Sequence, residues 1–227
     1  RIDADNIEVT IKDCIVWTSQ SADNQDGIYG DQNNNYTVNI ENTIIYGFYR
    51  TGVQVQYYQS GVGNGSTWNI NSCTIWGCGD EGDAEGGGIA ARTHEAADTV
   101  YMNVFNTIVL DCSGSGSYDY NEFIQGGTVN WDIHNSIDSD NSIDDLDSGY
   151  VNCLQGRTAT DSDTPGAGNW VVFEDITSSP YDLRLKDNAE NDAQDAHTDA
   201  SGAGLNMPVT DITGTSRPHN TNYDIGA

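Results

Sequence analysis

Acidic side chains are the first candidates for chemistry in this chain. Asp80, Asp83, Glu85, Asp111 and Glu122 fall within one stretch. Two carboxylates held about 5–5.5 or 6.5–9.5 Å apart can cleave a glycosidic bond. With 35 acids in 227 residues such a grouping also arises by coincidence, and the plainer reading is a solvated acidic surface. A second set, Asp138, Asp140, Ser142 and Asp144 in "DSDNSIDD", places oxygen donors at alternate positions, as the opening of a Ca²⁺ loop does. It lacks that loop's glycine at position six and bidentate Glu at twelve. Ca²⁺ is therefore an option for this segment, beside a solvated acidic loop.

Aromatic residues and cysteines offer other chemistry. Trp17, Tyr46 and Trp76 occupy one position of a repeated phrase, and Leu110 follows them. The neighbouring position holds Val16, Ile45, Ile75 and Val109. A strand alternates its faces, so one of these two columns points outward unless the chain bends there and buries both. Outward aromatics can stack on sugar rings or form a protein interface. Cys78 and Cys112 align on adjacent units, at a separation that permits a disulfide without requiring one. Cys14 and Cys73 lie two units apart and read as small core residues. Cys153 has no evident partner. Five cysteines leave at least one unpaired.

The elements that must position these residues are repeats. "VTIKDCIVW", "VNIENTIIY", "WNINSCTIW", "MNVFNTIVL" and "WDIHNSIDS" share one apolar–polar pattern. Their central polar residues are Asp13, Asn42, Ser72, Asn106 and Asn135, spaced 29, 30, 34 and 29 residues apart. Two residues earlier stand Ile11, Ile40, Ile70, Val104 and Ile133. A second phrase follows in each unit: "DGIYG", "TGVQV", "GGGIA" and, less cleanly, "NEFIQ". Each unit thus holds two or three short strands that cannot bury an apolar face alone, whereas stacked units bury a continuous core. Equivalent positions then form ladders about 4.8 Å apart. The ladder Asp13–Asn42–Ser72–Asn106–Asn135 falls at a bend, where Asn satisfies backbone groups that no strand reaches. A leucine-rich repeat lacks its Leu pattern here, and a propeller blade needs four strands per unit.

This pattern, over roughly residues 6 to 140, resembles the right-handed parallel β-helix proteins of the pectate-lyase-like superfamily. The expected fold class is all-β: a right-handed parallel β-helix (solenoid) with an irregular C-terminal capping segment. Coils are expected over 1–140, an Asp/Gly/Ser-rich loop region over 141–169, and the helix end and cap over 170–227. The last part is similar to the closing segment of bacterial surface or secreted β-helix proteins, through Tyr181 to Leu185, Ala193 to Ala196, and Asp211, Gly214, Arg217, Pro218 and Asp224 to Ala227. The resemblance implies an extracellular place, on a cell surface or virion. Lyases of this superfamily use Ca²⁺ or Arg beside a basic Lys or Arg, and Arg50 and Arg92, which follow the second and third units, are the nearest match. Exposed solubilising charges explain those two as well.

Charge narrows the partners. A net charge of −27 repels nucleic acid and anionic membranes. No apolar run approaches the ~18 residues of a membrane span. The chain reads as a piece of something longer, so the expected partners are other protein subunits, the rest of a longer chain, or a polysaccharide, with homo-oligomers an option because an exposed apolar column wants cover. Sparse bases, regular repeats and missing catalytic signatures favour a non-catalytic structural or adhesive module. A polysaccharide lyase or glycoside hydrolase, and a carbohydrate-binding module, are the alternatives.

Overall fold

Short β-branched runs broken by Asn, Asp and Gly build a stack of parallel rungs in the computed structural model, which describes residues 7–18, 25–31, 35–56, 65–79, 86–112, 118–146, 149–165, 167–178, 180–186, 191–193, 210–216 and 226. The first rung holds β1 (Glu8–Lys12), β2 (Ile15–Trp17) and β3 (Asp26–Asp31). The second holds β4 (Tyr36–Glu41), β5 (Ile44–Tyr46) and β6 (Thr51–Gln56), and the third β7 (Gly65–Asn71), β8 (Thr74–Trp76) and β9 (Gly87–Thr93). The fourth holds β10 (Thr99–Phe105), β11 (Ile108–Leu110) and β12 (Tyr118–Ile124). A fifth has β13 (Thr128–His134), a bridge at Ile137 and a 3-10 helix (Ser142–Asp145). Strands of equal rank pair in parallel, giving three sheets that wrap one core, an all-β parallel solenoid.

The repeat does not stop near residue 140. β14 (Gly149–Val151) pairs with β13, Asn152 takes the corner conformation, and Leu154 bridges Ile137. This sixth partial rung falls inside the stretch expected to be loop. Its corner residue follows Asn135 by only 17 positions, because a single bridge and the 3-10 helix replace two full strands. After it come β15 (Thr158–Thr160), β16 (Trp170–Asp175) and β17 (Asp182–Leu185), a separate small sheet.

The corner column explains the phrase that marks each unit. Asp13, Asn42, Ser72, Asn106 and Asn135 have φ of 54, 48, 53, 51 and 51°, the left-handed region that Asn and Asp tolerate best. Asn42 Nδ2 donates to Asp13 Oδ1 at 2.6 Å, and Asn135 Nδ2 to Asn106 Oδ1 at 3.5 Å. The following residue is always Cys, Thr or Ser because its side chain donates back two residues. Cys14 reaches the Lys12 carbonyl (3.0 Å), Thr43 that of Glu41 (2.8 Å), Thr107 that of Phe105 (2.9 Å) and Ser136 that of His134 (2.9 Å). Cys73 and Cys153 do the same, so Cys153 has a place in this column after all.

Inside, Val38, Ile40, Trp68, Ile70, Met102, Val104 and Ile133 of the first sheet meet Ile45, Ile75 and Val109 of the second. Glycines of the second phrase make room for that second column. A Cβ on Gly88 would lie 2.2 Å from Val109 Cγ1 and 2.7 Å from the Asp119 carbonyl oxygen; one on Gly52 would meet Ile75 Cγ2 at 2.6 Å. Gly88→Ala is therefore expected to destabilise the fold by about 1–3 kcal/mol through overpacking. A urea unfolding curve that matches the parent would contradict this packing.

Candidate functional site

The second sheet is apolar on both faces. In β5, Ile45 points into the coil while Ile44 and Tyr46 point out, and in β11 Val109 points in while Ile108 and Leu110 point out. The outward side chains are nevertheless buried, because the C-terminal segment lies against them. Val171, Phe173 and Leu183 of β16 and β17 join Ile44, Tyr46, Ile108, Leu110 and Ile137 in a second core. The Gly226 amide is pinned to the Asn106 carbonyl at 2.7 Å, beside Ile108. The described part of the closing segment thus flanks the solenoid, where a lid over its open end was expected. Arg217, Pro218, Asp224 and Ala196 lie outside the described residues.

Among the described residues this flanking cover reaches the later rungs and stops short of the first. Ile15 is 59% exposed against 3% for Ile44 below it, and Trp17 is 43% exposed against 2% for Tyr46. The result is a cleft of ≈ 500 Å³. Ile15, Trp17 and Tyr46 form one wall; Tyr181, Asp182, Arg184 and Thr213 line the other. Trp17 stacks on Tyr46 with ring centroids 5.8 Å apart and planes 13° from parallel. Tyr181 stands edge-on to Tyr46 (5.5 Å) and to Trp76 (4.6 Å), fixing the column. Burial pushes the Tyr46 phenol up. On the far wall Arg184 Nε donates to Asp182 Oδ1 at 2.8 Å and its Nη2 to Oδ2, a two-pronged pair. The Arg184 guanidinium holds the Asp182 carboxyl below the usual range. Of the three sequence-predicted aromatics, then, Trp17 is open to solvent, Tyr46 supports it from beneath, and Trp76 is half-buried under Tyr181.

The acid candidates go elsewhere. Asp80, Asp83 and Glu85 lie outside the described residues. Asp111 sits at a left-handed corner (φ 54°) that Gly47 and Gly77 occupy in earlier rungs, and its carboxylate accepts from Trp76 Nε1 at 3.0 Å. Burial raises its pKa, and the indole bond opposes that rise. Glu122 accepts from Trp131 Nε1 at 3.0 Å. Each of these two carboxylates thus holds an indole.

The supposed calcium set folds around backbone amides. Asp138 accepts from the Ile143 amide (3.0 Å) and the Gly156 amide (3.2 Å), and Asp140 from those of Ser142 (3.0 Å) and Asp119 (3.0 Å). Ser142 Oγ accepts from the Tyr120 amide at 2.9 Å. Asp144 is exposed and accepts from Gln155 at 2.9 Å. Among the described residues no group of three His, Cys, Asp or Glu side chains is placed to hold a metal. Sequence reasoning missed Asp119, the centre of this network. It stands where Gly88 stands one rung earlier, and its carboxylate accepts from the Cys112 amide at 2.9 Å and from both the amide and hydroxyl of Ser139.

None of the five cysteines is in a disulfide. Cys78 and Cys112 are neighbours on adjacent rungs, both buried, and burial together with the Cys78 contact pushes the Cys112 thiol well up. Arg50 and Arg92 share the third sheet's outer face at opposite ends; Arg50 forms a two-pronged pair with Asp26 (2.9 and 2.7 Å), and Arg92 lies over the Phe123 ring at 4.8 Å. No helix among the described residues is long and apolar enough to cross a membrane. No family model, curated protein or solved structure matches the chain.

Proposed function

We propose that this chain is a non-catalytic adhesive module that holds a carbohydrate against Trp17, within a right-handed β-helix displayed outside the cell or on a virion. The observation that carries the reading is the cleft at the first rung: one flat, solvent-open indole backed by a parallel Tyr ring, facing a wall of hydrogen-bonding groups. A pyranose ring has the matching form, with C–H groups on its faces and hydroxyls around its rim. A flat aromatic takes the face and polar side chains take the rim, at little entropic cost because Trp17 is already stacked. The cleft volume falls in the range of small-ligand sites. The right-handed sense follows the general preference of parallel crossovers. The extracellular setting rests on the likeness of repeat and closing segment to surface β-helix proteins, and on a surface acidic enough to stay soluble and apart.

A glycan array of the parent and of Trp17→Ala tests the reading. The parent is expected to bind a defined set of glycans without turning them over. Trp17→Ala is expected to weaken binding at least tenfold, about 1.4 kcal/mol, with its melting temperature nearly unchanged because Trp17 lies at the rim of the stack. Hydrolysis or elimination of any glycan would overturn the non-catalytic part. Silence across the array, joined to concentration-dependent dimers in sedimentation, would assign the cleft to protein instead.

A further inference from the structure

We infer that the cleft selects an uncharged glycan, and that Asp182 is the specificity-determining residue that turns acidic sugars away. This rests on the reading of the cleft as a carbohydrate site. Recognition of a uronate or sulfate needs a cation free to meet it, usually Arg in a two-pronged geometry. Among the described residues lining the cleft, Arg184 is the one cation. Both prongs of its guanidinium are engaged by Asp182, two residues away on the same strand and on the same wall. Glu174 and Asp211 also lie close enough for their charges to act on Arg184. Lys186, which also feels Glu174, is paired with Asp163 at 2.8 Å. Two cations thus meet four carboxylates, so the local field is negative, as is the whole molecule at −27. An anionic ligand could meet only the guanidinium N–H groups that Asp182 leaves over, and would carry its own charge into that field. A neutral sugar carries no charge into it, and its hydroxyls can accept from those same N–H groups and donate to Asp182 or Thr213.

The test compares neutral oligosaccharides with uronate- and sulfate-bearing ones on one array at low salt, where unscreened charges act over about 30 Å. Glucose and galactose tetrasaccharides and tetragalacturonate are then titrated in solution. Neutral probes are expected to bind at least tenfold tighter than tetragalacturonate, with little change as salt rises. Asp182→Asn frees the guanidinium and is expected to raise the acidic-to-neutral affinity ratio at least tenfold, a gain that salt then removes. A merely structural role for Asp182 would weaken all probes alike and leave the ratio unmoved, which would overturn its assignment. Tighter binding of tetragalacturonate by the parent would overturn the inference and leave the carbohydrate reading standing. Binding of no sugar at all would overturn both.

Discussion

Phe173→Ala is expected to lower stability by about 3–5 kcal/mol, the usual cost of emptying a fully buried aromatic site. Phe173 is completely buried, pairs in register with Leu185 across the β16–β17 hairpin, and belongs to the core that covers the outer face of the second sheet. The loss has a particular form, because the described residues form two separate cores. The inner one, around Ile40, Ile70 and Val104, touches none of the truncated atoms' cluster. Hydrogen exchange should therefore show the hairpin opening first, with amides of β4, β7 and β10 still protected. The cleft loses its far wall in the same event, so the glycan binding proposed for it should fall as well. Unchanged exchange in β16 and β17 would mean that the C-terminal segment does not hold to the coil as described.

The second large effect is a loss of stability with rising pH. Burial and the neighbouring Asp140 carboxylate push Asp119 up to about 8, with its bonds to Ser139 and the Cys112 amide pulling the other way. Burial pushes Asp138 up to about 6, opposed by the Ile143 and Gly156 amides. Both are raised above the value of an unfolded Asp, near 3.8. Through these two groups the folded protein binds more protons than the unfolded chain above about pH 4, and their contribution to stability declines as pH rises; His94, held below its ordinary 6.5 chiefly by burial, works the opposite way below that pH. The decline is steepest from about 4 to 6, where both groups contribute, continues to about 8 through Asp119, and then levels off. Each tenfold change in proton affinity is worth about 1.4 kcal/mol, so the total reaches several kcal/mol. The other titratable groups facing this network are Asp140, Cys112, Tyr120 and Cys153. Asp182 and Asp175 are held low by their hydrogen bonds and act below pH 4, in the opposite direction. Melting temperatures from pH 5 to 9 check this. Asp119→Asn should flatten the profile above pH 6, whatever its cost in lost bonds; a parent profile that rises toward pH 8 would contradict the account.

Much of the solenoid is legible in the sequence because its ladders repeat one residue type at one spacing. Ile11–Ile40–Ile70–Val104–Ile133 stack in register, and the Asn-rich corner is where a left-handed bend needs it. On the outer face Asn39, Asn69 and Asn103 make one more ladder of a single residue type, with Asn69 and Asn103 each donating at 2.8 Å to the Asn one rung before. The sixth rung escaped notice because its corner, Asn152, comes early. The cover on the second sheet was half legible. "IIY" and "IVL" are apolar at three successive positions, as a strand buried on both faces must be, but nothing local says that Phe173 and Leu183 supply the second face. The alternate acids of 138–144 carry two readings for a physical reason: the spacing that gathers oxygens around a cation also gathers them around successive backbone amides, as it does here. Asp119 left no signal, since one Asp in "SYDYNEF" looks like any solvated acid until the register sets it on a glycine column.

The most direct test of the carbohydrate cleft is a titration followed by the tryptophan indole N–H signals in a proton–nitrogen correlation spectrum. Trp17→Phe identifies the Trp17 signal by its loss. On adding a neutral oligosaccharide that the array selects, the Trp17 signal should shift progressively and saturate, while that of Trp68, buried in the inner core, stays fixed. A sugar that binds with the Trp17 signal unmoved, or shifts confined to other tryptophans, would contradict the central claim.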